Sequence, residues 1–165
     1  MKPPAARPGF SVPAAEDAFR AWLSNSGVAF LTTDHPPIST PAALRGRIRQ
    51  PDYLVGIPHT GTMAFHVHVP ASGGSAFAID ALDVDQLAAF AAYFHVTVII
   101  VCLDPGEPGR FHWIPLHALI GRTPETRGKM RVVDLPHAEA FQVQPDEPFL
   151  QALMRFTQTA ARWPG

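Results

Sequence analysis

Apolar and polar positions alternate most cleanly between Met63 and Val69. Met63, Phe65, Val67 and Val69 are apolar, and His66 and His68 fall between the last three. A period of two predicts a strand whose apolar set faces a core while the two imidazoles share the opposite side. Tyr53-Leu54-Val55 forms a short apolar run ahead of it, and the Gly-, Pro- and Thr-punctuated stretch Gly56–Gly61 lies between. The segment Gln50–Pro70 therefore reads as a β-hairpin, with Asp52 just before its first strand. Helical spacing appears in three other places. Phe19, Trp22 and Leu23, with Ala15 near their face, predict a helix over 14–24, stopped by Ser24-Asn25-Ser26-Gly27. Val84, Leu87, Ala88, Ala91 and Phe94 predict a second, opening at Asp83 with Gln86 three residues on as in a capping box. Phe149, Leu150, Leu153, Met154 and Phe156 or Thr157 predict a third, over 149–161.

The remaining segments complete the order. Val28–Thr33 is a short β-prone run, and the three-proline stretch Asp34–Pro41 is a loop in which Ser39-Thr40 offers a helix start. Ala42–Ile48 fits a turn of helix or an extended arm. Ala71–Ser75 reads as a Gly-rich turn, and Ala76–Ile79 as a short strand or the tail of the hairpin. Val96–Leu103 is β-branched and apolar on both faces, which predicts the central strand of a sheet. A turn over 104–109, a strand over 110–114 and a short helix over 115–120 follow. Arg122–Lys129 reads as a polar loop, Met130–Val133 as a strand and Asp134–Pro148 as mostly irregular. The expected fold class is α/β, a central mixed β-sheet flanked by helices in a single domain. Residues 1–13, rich in Pro and Ala, form a flexible lead-in, 14–120 the core, and 121–165 an extension within the same domain.

Composition narrows the function classes. With 165 residues, 47% hydrophobic and 16% charged, the chain is long and apolar enough for a real core. A formal net charge of -1 supplies no global basic field, so any nucleic-acid surface has to concentrate its cations locally. Arg45, Arg47 and Arg49 do so: spaced by two, they share a side of an extended segment and suit contact with phosphates of DNA or RNA, or else form a solvated charged face. The one cysteine, Cys102, lies in an apolar run and reads as a small core residue of a reducing compartment. The N-terminus lacks an apolar h-region, and no apolar run approaches the roughly 20 residues of a membrane span, so a cytoplasmic protein without membrane association is expected.

From Glu16 to Leu119 the order and the residues resemble the PD-(D/E)XK nuclease superfamily, the restriction-endonuclease-like fold. Glu16 lies on the first helix in A-E-D-A-F-R-A-W-L, and Pro51-Asp52-Tyr-Leu-Val matches the Pro-Asp strand. Met-Ala-Phe-His66-Val67-His68 stands where the Glu-x-Lys strand belongs. Leu87–Phe94 and Val96–Leu103 match the helix and strand that follow, and Phe111–Leu119 the closing strand and helix. The resemblance implies metal-dependent phosphodiester hydrolysis in which Asp and Glu hold Mg²⁺ and Lys orients the attacking water. His66 replaces that Glu and His68 that Lys. Magnesium prefers oxygen ligands, so the substitution weakens the site.

Three readings stay open. In the first, the site of Asp52, His66, His68 and Glu16 is degenerate, no cofactor is held, and the protein is a non-catalytic nucleic-acid-binding or scaffolding pseudo-nuclease. In the second, Asp52, His66 and His68 hold a divalent metal (Zn, Mn or Mg) and hydrolysis survives; an H-x-H pair on one strand face is spaced for a transition metal. One His acting as general base without metal is a variant of this. In the third, the chain is an interaction module that pairs through its apolar C-terminal helix, for instance as a homodimer. Glu16 also suits a first-turn helix acid, Gln86 and Tyr93 capping and packing, and His59, His95, His112 and His117 packing or surface positions.

Overall fold

The computed structural model describes residues 12–33, 41–69, 74–103, 109–144 and 146–160. Residues 1–11 of the lead-in, the loop over 34–40 with Ser39-Thr40, and most of the turns at 71–75 and 104–109 fall outside the described residues, while Val12 and Pro13 already belong to the first helix. The first helix, α1 (Val12–Asn25), is followed by strand β1 (Phe30–Thr32) and a single 3-10 turn at Ala42–Leu44. The hairpin comes next, β2 (Tyr53–Ile57) and β3 (Gly61–His68). Its turn is shorter than the Gly56–Gly61 loop of the sequence reading, because residues 58–60 reverse the chain with His59 in the left-handed region and Ile57 pairs with Gly61.

After the hairpin come β4 (Ala76–Asp80), α2 (Ala81–Phe94), β5 (Thr97–Leu103) and β6 (Phe111–Pro115). The chain closes with β7 (Glu125–Arg127), β8 (Met130–Pro136), β9 (Phe141–Val143) and α3 (Phe149–Ala160). The main sheet runs β1-β2-β3-β5-β6-β9 and is mixed: β3 and β5 are parallel and every other neighbouring pair is antiparallel. Because a parallel pair cannot be closed by a tight turn, the chain between β3 and β5 must cross over, and it carries β4 and α2 as it does so. The strand β4 is no tail of the hairpin. It leaves the main sheet and forms a second, three-stranded antiparallel sheet in the order β4-β8-β7.

Two cores lie on the two faces of the main sheet. On one, α1 supplies Phe19, Trp22 and Leu23, α3 supplies Phe149, Ala152 and Phe156, and the sheet supplies Tyr53, Phe65, Val101 and Trp113. Rings dominate there: Trp113 lies 5.4 Å from Phe65, 5.6 Å from Phe149 and 5.7 Å from Phe156, within the range of favourable aromatic pairing. On the other face, α2 and the small sheet cover Ala64, Val98, Ile100, Cys102 and Ile114. Strand β5, apolar on both sides, is thus buried by both cores and sits between β3 and β6, as the sequence predicts.

Several expectations change. The cap of α2 is Asp80, whose Oδ1 accepts from the Leu82 N–H at 2.8 Å, three residues before the expected Asp83. Asp83 instead pairs with Arg49. The buried face of α2 is Ala81, Val84, Leu87 and Phe90, while Phe94 is exposed and stacks on Phe90. On α3, Leu150 and Met154 point outward. The polar stretch 122–129 contains β7, and the irregular stretch 134–148 contains the end of β8 and all of β9, which extends the main sheet.

Candidate functional site

The hairpin's register decides which side chains meet. Tyr53 pairs with Phe65 and Leu54 with Ala64. Tyr53 and Phe65 join the α1 core, Ala64 joins the α2 core and Leu54 packs against it. Two residues back from Leu54 and two on from Ala64, Asp52 and His66 fall on the α2 side, and so does His68 by the same alternation. The side chains confirm this. Asp52 Oδ2 accepts the Val67 N–H at 2.7 Å, and His66 Nδ1 lies 2.7 Å from the same oxygen, off the axis of an aligned hydrogen bond. The backbone locks the geometry further, since the Asp52 N–H donates to Phe65 O at 2.9 Å and the Thr33 N–H to Asp52 O at 3.0 Å.

The two histidines do not sit on a solvated strand face. The covering layer of α2 and the small sheet leaves His66 only 4% exposed. His68 is half-buried, and its Nε2 lies 3.1 Å from Ala78 O on β4, to which it donates. Burial holds the His68 imidazole below the usual histidine pKa, and the neighbouring His66 lowers it further. The bond to Ala78 O and the Asp83 carboxylate oppose this in part, and Arg49 adds to the lowering.

Glu16 is carried by α1, on the opposite face of the sheet from Asp52. Its carbonyl accepts the Tyr53 hydroxyl at 3.1 Å, which fastens that helix turn to the start of β2. Of the two expectations for the arginine segment, the turn of helix is met by the 3-10 turn at Ala42–Leu44, and the arginines do not lie on an extended arm. The segment runs through the 3-10 turn into a further turn and lies across α2. The Arg49 N–H donates to Gln86 O at 3.2 Å, and Gln86 Nε2 donates to Gly46 O at 2.7 Å. All three arginines are exposed, but Arg49 is engaged by Asp83.

The donors of Asp52, His66 and His68 are turned to protein groups rather than left open for the divalent ion that a nuclease-like fold implies. Asp52 Oδ2 is already occupied, His66 Nδ1 is turned to the same carboxylate, and His68 Nε2 is turned to a carbonyl. Among the described residues, no group of three or more His, Cys, Asp or Glu side chains is placed to hold a metal ion. One carboxylate and two imidazoles also make a poor set for a hard cation. The residues do not fit Mg²⁺. What the arrangement does is brace the hairpin, because a carboxylate accepts a buried backbone N–H and contacts a buried imidazole.

The mixed sheet with one parallel pair, the alternating β3 beside β2 and the crossover through α2 match a restriction-endonuclease-like fold. A solved structure with this likeness is that of Hjc from Archaeoglobus fulgidus, a Holliday junction resolvase from an archaeal hyperthermophile. It superposes with a TM-score of 0.52 at 18% sequence identity, covering 76% of this chain and 88% of Hjc. No protein-family model and no curated protein sequence matches the chain. Among the described residues, no helix is long and apolar enough to cross a membrane.

Sequence reasoning set Asp52, His66 and His68 on one side of the hairpin, and the structure places them there. It missed the exposed aromatic end of α2, where Tyr93 and Phe94 adjoin the arginine segment. The signal was present in Phe90, which continues the spacing Ala81, Val84, Leu87 and leaves Phe94 a turn further on, outside the core.

Proposed function

We propose that this protein is a pseudo-nuclease: a nuclease-like fold that binds nucleic acid without cleaving it. The observation that carries the reading is the closure of Asp52 onto the Val67 N–H and His66 Nδ1, at the position where a nuclease of this fold keeps a carboxylate for metal. The loss of Lys at position 68 supports it, because a half-buried neutral imidazole supplies no fixed cation for phosphate or water. Arg45 and Arg47, exposed on the same side of the sheet as Asp52, supply a local cationic footing that the net charge does not. The likeness to a junction resolvase makes branched DNA a substrate form to include in a test.

Single-stranded, duplex and four-way-junction DNA should be incubated with the full chain in Mg²⁺, Mn²⁺ or Zn²⁺. The expected result is retention of intact DNA, with affinity falling steeply as salt rises (slope about -0.7 to -0.9 per neutralised phosphate) and reduced in Arg45→Glu/Arg47→Glu. Metal-dependent cleavage abolished by Asp52→Asn would overturn it in favour of a phosphodiesterase using Asp52, His66 and His68. Absence of binding to every DNA form, and to RNA of the same sequences, would overturn it in favour of a protein interaction module.

A further inference from the structure

A groove of about 240 Å³ runs between the arginine segment and the end of α2. One wall is Pro41, Leu44 and Ile48; the other is Phe90, Tyr93 and Phe94. Its aromatic wall is open, with Tyr93 60% and Phe94 47% exposed. Phe94 lies over Phe90 with ring centroids 4.5 Å apart and planes 28° from parallel, so stacked rings already line this wall. The segment opposite is held in place by two hydrogen bonds with Gln86 of α2, which accepts the Arg49 N–H and donates to Gly46 O. Arg45 and Arg47, both exposed, adjoin the lining residues Leu44 and Ile48 in the chain, and Gln50, two residues before Asp52, also lines the groove.

We infer that this groove takes an unpaired nucleobase, stacked against Tyr93 and Phe94, with the flanking phosphates on Arg45 and Arg47. The inference rests on the nucleic-acid reading above and names the form of nucleic acid: single-stranded, or duplex with unpaired bases. Charge complementarity selects this occupant. An apolar peptide would leave the two exposed arginines next to the groove-lining residues unused, whereas a nucleotide presents a flat apolar base and an anion one linkage away. The polarity of α2 sets the direction. Its C-terminal carbonyls, capped at His95, repel anions, so the base sits at the Tyr93 end and the phosphates lie toward the arginine segment. A paired base presents only its edge and cannot stack in the groove.

The test uses the full chain and a single strand of about 12 nucleotides carrying one 2-aminopurine, against the same sequence as a duplex. The single strand should bind more tightly than the duplex, with quenching of the 2-aminopurine. Tyr93→Ala should weaken binding about 5- to 150-fold, the range expected for one lost stacking partner, and abolish the quenching with the salt slope unchanged. Arg45→Gln/Arg47→Gln should instead flatten the salt slope, and Tyr93→Trp should keep or tighten binding. Tyr93 is exposed, so equal melting of wild type and Tyr93→Ala serves as the folding control. Binding that Tyr93→Ala and Phe94→Ala leave unchanged, or a duplex bound as tightly as the single strand, overturns this site and leaves the nucleic-acid reading standing. Failure of the wild type to bind any nucleic acid overturns both. A wild-type dimer that Tyr93→Ala dissociates assigns the groove to a second copy of the chain and overturns the base site.

Discussion

At His68 the chemistry of one side chain follows from its surroundings. Burial and the adjacent His66 favour the neutral ring, which donates Nε2–H to Ala78 O and so ties β3 to β4. The folded-state pKa is therefore depressed. Such a group contributes stability that is present above the ordinary histidine pKa, about 6.5, and is lost as pH falls through the lower folded value. Denaturant midpoints should drop between pH 7.5 and pH 5, and the drop should be smaller in His68→Asn; an equal drop in both proteins would contradict this assignment. Periodicity in the sequence was enough to place His66 and His68 on one face. It was not enough to tell that the face is covered, because the cover is formed by β4, β8 and α2, and strand alternation carries no information about a second layer. The Asp52 contacts were illegible for a related reason: a carboxylate after Pro reads as a turn residue until the register brings Val67 and His66 to it.

Among the elements, α2 shows how a local signal can be displaced by a better one nearby. Asp83 with Gln86 has the spacing of a capping box, yet the helix opens at Ala81, because Asp80 ends β4 and already offers a side-chain acceptor to the Leu82 N–H. Asp83 is then free to meet Arg49. Asp80→Ala should destabilise the protein by about 0.5–2 kcal/mol, the cost of an N-cap. Asp83→Ala, which loses a pair with a well-exposed arginine, should cost about 0.2–1 kcal/mol. Equal or reversed losses in urea unfolding would contradict the observed cap. Long apolar elements such as β5 and α1 were readable because both core faces or one helical stripe leave a strong pattern. Strands β7 and β9 were not. Glu125-Thr126-Arg127 has no apolar residue and is exposed along its length, and Phe141-Gln142-Val143 is three residues long. Pairing with β8 and β6 makes them strands, and that is a tertiary fact.

In the whole molecule, one sheet with two buried faces accounts for both cores and for the covered position of Asp52, His66 and His68. The aromatic core of α1 and α3 is closed at its edge by Arg155, which forks onto buried Glu147 with two contacts of 2.6 Å and lies 4.6 Å above the Phe141 ring. That fork holds the Glu147 carboxyl below its usual pKa, while the Glu147 carbonyl accepts the Trp22 indole N–H at 2.9 Å. The second core presses α2 and β4 onto the His66 side of the sheet and turns each candidate metal ligand toward a protein partner. The fold was legible from the order of elements and the Pro-Asp hairpin. The state of the site was not, because identical ligand residues can converge or be turned aside, and packing decides which. The direct test is calorimetric titration of Mg²⁺, Mn²⁺ and Zn²⁺ into the wild type, His66→Ala and Asp52→Asn. The donor geometry predicts no saturable binding by any of the three proteins at micromolar ion concentrations. One-to-one binding by the wild type, lost in both variants, would contradict it and restore Asp52 and His66 as a working metal centre.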